Sequence, residues 1–249
     1  MNPDHPDHVE HLDGSKGPAR SGLPVPVPPT GLSKAVTVLL GAVIAADVFS
    51  LHGGLAVHGL VGDLIAGRPV TEAEFGQADR LYGLTGVAQV ATMLAAGVVF
   101  LVWFHRVRVN AEVFVPDGHR KSRGWVVWGW FVPVVNLWFP RRITLDVWNA
   151  SSPVPLSDPD PERPSRPLVN AWWTLWLLSM SVGNGAGRMY DRAEYAEAIQ
   201  SALVMLILSD ILSIAAAVLA ILVVRALTRM QQARILQGPG PLHPASPAS

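Results

Sequence analysis

Residues 124–140 read Gly-Trp-Val-Val-Trp-Gly-Trp-Phe-Val-Pro-Val-Val-Asn-Leu-Trp-Phe-Pro, and whether this run crosses a membrane or returns decides the topology on either side of it. As a straight helix it reaches about 25 Å, short of the roughly 30 Å of bilayer hydrocarbon. Pro133 and Asn136 also break it in the middle. Charge separates the two readings. If the run returns, 15 of the 19 Lys and Arg lie on the N-terminal side of the membrane, and only Arg68, Arg80, Arg188 and Arg192 lie opposite. If it crosses, the split is 10 to 9. The positive-inside rule selects the first arrangement, with both termini in the cytoplasm. All nine tryptophans (Trp103, Trp125, Trp128, Trp130, Trp138, Trp148, Trp172, Trp173 and Trp176) then fall in or near the cytoplasmic interface, where an indole is most stable. The run is therefore expected to be re-entrant or interfacial, followed by an amphipathic helix from Arg141 to Asn149 with Ile143, Val147 and Trp148 toward lipid or protein.

Outward from this segment, four apolar blocks are long enough to span: about 35–61, 81–104, 168–187 and 199–224. Hydrophobic residues make up 50% of the 249 residues and charged ones only 15%, too few for an ordinary soluble surface. The expected fold is an all-α integral membrane domain, 33–235, of two helical hairpins, with 105–166 as a Trp-rich interfacial platform. Thr71 with Glu74, and Asp191 with Glu194, have the N-cap spacing expected to start the second and fourth helices. Gly183–Gly187 imitates part of a dinucleotide loop but follows no strand, and is expected to be the flexible exit of the third span. Residues 1–32, with Leu-Pro-Val-Pro-Val-Pro-Pro at 23–29, and 236–249 are expected to be disordered cytoplasmic tails. No secretory signal is visible, so the first span is expected to act as an uncleaved anchor in the cell membrane. The absence of cysteine removes disulfides, thiolate metal sites and a cysteine nucleophile, and zero net charge gives no reason to propose nucleic acid.

The pieces Trp103-Phe-His-Arg106, Asn110-Ala111, Gly124-Trp125, Gly129 to Pro140 and Arg142 to Trp148 resemble the signature of an uncharacterised actinobacterial membrane family catalogued as domain of unknown function 4328. The resemblance covers about residues 35–235 and implies the membrane fold, a proline-rich leader and no assigned activity. Its motif positions are Arg106, Asn110, Trp125, Gly129, Pro133, Asn136, Trp138, Pro140, Arg142, Asp146 and Trp148, and the family gives none of them a role. Sixteen Arg against three Lys also fits a high-GC bacterium.

Asp47 and Asp210 are the only charged residues in the four blocks. An ionised carboxylate inside a bilayer costs several kcal/mol unless paired, protonated or wet, so they form the candidate polar site, with His52 and Gln89 as helpers. If the first and fourth spans touch, one carboxyl is expected to stay protonated and donate to the other. Against this stands the plain reading that each Asp bonds hydroxyls or backbone of a neighbouring helix. Asn136 either lines a ligand passage through the broken segment or caps its freed backbone. His5, His8 and His11 have metal-like spacing in a tail expected to be disordered, and no metal or cofactor is assigned. Arg106, Arg108, Arg120, Lys121, Arg123, Arg141 and Arg142 suit anionic lipid headgroups. With no hydrolase or nucleotide motif in the chain, the expected function is a non-enzymatic membrane protein organising lipid or protein partners at the cytoplasmic face. The alternative is a small proton- or cation-coupled transporter or channel using Asp47 and Asp210. A pore would require a homo-oligomer. A third class is a headgroup enzyme using Asp146 and the neighbouring arginines.

Overall fold

The computed structural model describes residues 25–116, 119, 121–152 and 166–237. Among these residues the protein is entirely helical: α1 (Thr30–Ile65), α2 (Glu72–Phe114), α3 (Trp125–Phe131), a 3-10 turn (Val135–Leu137), α4 (Phe139–Ser151), α5 (Arg166–Asp191) and α6 (Ala196–Gln237). Three of these, α1, α2 and α6, are long and apolar enough to cross a membrane. In α5 the clustered tryptophans are followed by Ser, Gly and Asn residues from Ser179 to Gly187, which lowers its apolarity below theirs.

Local chemistry explains the hairpins. α1 ends in a Schellman motif: Gly67 takes a positive φ of 69°, Arg68 N–H donates to Asp63 O (2.9 Å) and Gly67 N–H to Leu64 O (3.1 Å). Arg68 also pairs with the Asp63 side chain. α2 then opens on the expected capping box, Glu74 N–H donating to Thr71 Oγ1 and Thr71 N–H to Glu74 Oε2. The helices pack as a row, α2 on α1, α1 on α6 and α6 on α5.

Four expectations are corrected. The helices outrun the apolar blocks at both ends, because the more polar turns beyond those blocks still have protein to pack against. The boundary drawn between residues 32 and 33 lies at Thr30 instead, preceded by an extended stretch, 25–29, that is held to the bundle; α6 likewise continues to Gln237. Residues 1–24, including the histidines at 5, 8 and 11, and 238–249 lie outside the described residues, as does Arg120. Asp191 caps nothing: it is the last residue of α5, and α6 begins only at Ala196. Nor is Gly183–Gly187 a flexible exit, since it is helical throughout. A Cβ on Gly183 would lie 2.7 Å from Ser209 Oγ, so the glycine is there to let α5 and α6 approach.

At the end of the bundle where α2 stops and α5 starts, α3, the 3-10 turn and α4 form a platform in contact with α2, α5 and α6. α4 follows the expected amphipathic pattern, with Ile143, Val147 and Trp148 buried toward protein. Trp130 of α3 is the hub between Phe100 and Phe104 of α2 and Trp172, Trp173 and Trp176 of α5, at ring-centroid distances of 5.5 to 6.5 Å. A second, smaller cluster of Val57, Val61 and Leu203, with Tyr82 and Tyr190 against it, closes the opposite end.

Candidate functional site

Two buried polar clusters stand out, and the sequence pointed directly to only one. Asp47 of α1 and Asp210 of α6 do face each other's helix, but the side chain of Gln89 from α2 lies between them. Gln89 Nε2 donates to Asp47 Oδ1 (2.9 Å) and to Asp210 Oδ1 (3.0 Å). The expected direct carboxyl–carboxyl bond is thus replaced by an amide bridge. The amide has two N–H groups and a reach that the two short aspartates lack. The Ser213 hydroxyl approaches Asp47 and the Ser50 hydroxyl approaches Asp210, so each acid is met by a serine of the other's helix. Asp47 is 4% exposed, and its Oδ2 is buried with no hydrogen-bond partner, whereas Asp210 and Gln89 are half-buried. His52 does not join the site and is exposed. Five residues from Asp47 is about 140° around the helix, on another face. Tyr82, which the sequence did not single out, lies over Gly53 and Gly54 and stands near Asp210.

The second cluster gives a role to the motif residue Asn110. Its Oδ1 accepts from Val27 N–H (3.0 Å), while Nδ2 donates to Val27 O (2.8 Å) and to Gln231 Oε1 (3.0 Å). Gln231 Nε2 donates to Val107 O (2.8 Å) and Ser151 Oγ (3.0 Å). This chain of neutral amides ties the leader, α2, α4 and α6 together at one end. Arg234 adds bonds to Ala150 O (2.8 Å) and Ser152 O (3.1 Å), and burial pulls its guanidinium down from the ordinary value. Gln231, Ser151 and Arg234 gave no sequence signal, because polar residues just past an apolar block look like a solvated helix end.

The remaining motif residues build the platform. Trp125 meets Phe139 edge-on at 4.9 Å. A Cβ on Gly129 would lie 3.4 Å from Phe139 Cβ, which is why α3 can lie against the start of α4. Pro140 is the second residue of α4, and its carbonyl accepts from Thr144 Oγ1. At Pro133 the helix stops as expected, and the chain turns through Val134 with φ 68° and ψ −50°, closed by Val135 N–H donating to Pro133 O at 2.7 Å. This is a γ-turn with a β-branched residue at its centre, a strained conformation. Asn136 does not supply the cap expected of its side chain: it gives its backbone N–H to Val132 O, and the freed Leu137 carbonyl accepts from the Trp173 indole at 2.9 Å. Trp148 is buried, Asp146 is half-buried within the field of Arg108, and Arg106 and Arg142 are exposed. Arg108 pairs with Glu112 at 2.6 Å and donates to Lys121 O at 2.7 Å, holding the approach to α3. Burial lowers its affinity for the proton and Glu112 opposes that.

The platform's outer surface is apolar. Trp128, Phe131 and Val134 are 63 to 64% exposed, and Leu137 and Trp138 are exposed beside them. Lys121, over the Phe139 ring at 4.6 Å, and Arg142 flank this row in the sequence. Among the described residues no group of His, Cys, Asp and Glu is arranged to hold a metal.

No curated protein and no solved structure matches the chain. The family model described as domain of unknown function (DUF4328) matches residues 66–229, well over half of the sequence, and takes in the platform, Gln89, Asp210 and Asn110; the protein belongs to that family.

Proposed function

We propose that the chain crosses the cell membrane four times with both termini in the cytoplasm, and that its platform lies in the inner leaflet, where it organises lipid or protein partners and carries out no reaction of its own. The observation that carries this reading is the outward row Trp128, Phe131, Val134, Leu137 and Trp138, bulky apolar side chains on a segment whose other side is committed to α2 and α5. In water such a row is a liability; in the acyl region next to headgroups it is favourable. The strained turn at Val134 supports it, since a backbone held off its minimum to point an apolar side chain outward calls for a compensating environment. Support for α5 as a span comes from its packing along α6 and from its 26 residues, about 39 Å of helix. The charge asymmetry supports the orientation.

Arg106, in the last turns of α2, and Arg142, in the first turn of α4 just after the row, are both exposed. Near a membrane each is worth about 1 kcal/mol toward anionic lipid. In bilayers of mixed zwitterionic and anionic lipid, spin-labelled anionic lipid is expected to be enriched around the protein, and Arg106→Gln with Arg142→Gln to reduce that enrichment several-fold. Unchanged enrichment would count against the headgroup role.

A second reading, proton- or cation-coupled transport through Asp47 and Asp210, is favoured by one observation: the amide of a third helix bridges the two acids in the middle of the bundle.

A further inference from the structure

We propose that Asp47, Gln89 and Asp210 form a proton-binding site within the membrane, in which one proton is held by the two carboxyls and exchanges with the surroundings through Asp210. This deepens the transport reading by naming the occupant, and it rests on that reading only for the consequence of proton exchange, not for the binding itself.

The hydrogen-bond inventory leads to the proton. Gln89 Nε2 uses its two N–H groups on the two Oδ1 atoms, one each. Each acid has one serine hydroxyl beside it, Ser50 at Asp210 and Ser213 at Asp47. Asp47 has a buried Oδ2 left over with nothing bonded to it. If both acids were ionised, that oxygen would be a bare carboxylate atom in an apolar interior, with a second negative charge one amide away and no cation to offset either. The groups facing the pair are Tyr82 and Gln89 from α2, Ser50 from α1 and Ser213 from α6, and no Lys or Arg pairs with either acid among the described residues. A proton on Asp47 Oδ2 removes the difficulty. The Ser213 hydroxyl approaches the same carboxyl, Oδ1 remains the carbonyl acceptor for Gln89, and a single negative charge is left on Asp210.

A metal cation fits this arrangement poorly. The space between the acids is where an ion would have to bind both, and Gln89 fills it with two N–H donors, whose positive ends repel a cation. Burial assigns the roles of the acids. Asp47, at 4% exposure, is the enclosed holder, and Asp210, half-buried, is the acid through which the proton enters and leaves. Gln89 is a positioning residue that keeps the carboxyls at a fixed separation.

The test is infrared spectroscopy of the full-length protein in liposomes at neutral pH, in light and heavy water, with proton uptake under an imposed pH gradient followed on the same preparations. A protonated-carboxyl C=O band is expected in the parent at neutral pH. It should shift in heavy water and disappear in Asp47→Asn. Its hydrogen–deuterium exchange should slow in Asp210→Asn. If either Asn variant fails to insert, Gln89→Leu and Ser213→Ala keep both acids, and the band must change frequency in at least one of them. Absence of the band in the parent, or a band unmoved in every variant that inserts, overturns the proposal. A band that behaves as described without any proton flux upholds the binding site and contradicts transport.

Discussion

The two buried polar clusters differ in one respect that separates structure from chemistry. At the platform end, Asn110, Gln231 and Ser151 are neutral, almost wholly buried, and bonded to one another and to the backbone of Val27 and Val107. In the middle of the bundle, Asp47, Gln89 and Asp210 are also linked across three helices, but two of them are acids and one oxygen is left without a partner. A satisfied neutral network is what a lock requires, because removing any part leaves a buried donor or acceptor exposed to nothing. An unsatisfied acidic one is costly as a lock and makes sense as a place where a proton comes and goes.

This contrast predicts opposite responses to substitution. The largest effect is expected at Gln231→Leu, which leaves Ser151 and one Asn110 N–H without their partner and takes from Val107 O a bond beyond its helical one; at about 1–3 kcal/mol for each unsatisfied group, a loss of about 3 kcal/mol should lower the thermal unfolding temperature by several degrees. Asp47→Asn should stay within about 1 kcal/mol of the parent or gain stability, because the amide still accepts from Gln89 and an isolated acid is gone. If Asp47→Asn proved the more damaging of the two, the distinction between lock and site would fail.

Next in size is Gly183→Ala. Its Cβ would meet Ser209 Oγ at 2.7 Å, and overpacking of this kind costs about 1–3 kcal/mol. Adding Ser209→Ala should restore most of the loss in the same melting measurement, because the next Ser209 atom lies at 3.7 Å. Val134→Gly is expected to raise stability by up to about 1 kcal/mol, since glycine adopts a positive φ freely and valine does not. The gain should appear as slower hydrogen exchange around residues 133–138. The smallest effect concerns pH. The Thr71 backbone N–H and hydroxyl hold the Glu74 carboxyl below the usual carboxylate range. Its capping contribution is therefore fully present above that range and lost as pH falls through the depressed value. Exchange of the first α2 amides should quicken there, while the neutral Asn110 network stays unchanged.

The legibility of these features in the sequence follows the same division. Apolar composition and length located the helices that can span, Thr71 with Glu74 marked a helix start, and Pro133 marked the break, because each is a local rule with a local residue. Asp47 and Asp210 were conspicuous as acids in apolar blocks, and Gln89 as a polar residue in a third. The rest depended on partners distant in sequence. Gln231 becomes a core residue only because α6 runs past its apolar block to reach α2 and α4, and Val27 is tied to α2 by Asn110, which binds both its N–H and its carbonyl. Gly183–Gly187 looked like a breaker because glycine's value at a helix contact shows only once the neighbouring helix is in place.

Placement of the platform in the inner leaflet is tested most directly by spin labels at single cysteines, since the chain contains no cysteine of its own. Phe131→Cys and Val134→Cys labels in liposomes should collide readily with oxygen and be shielded from a water-soluble nickel chelate, whereas a label at Arg106→Cys should show the reverse. Labels at 131 and 134 as open to the chelate as the one at 106 would put the row in water and contradict the membrane platform.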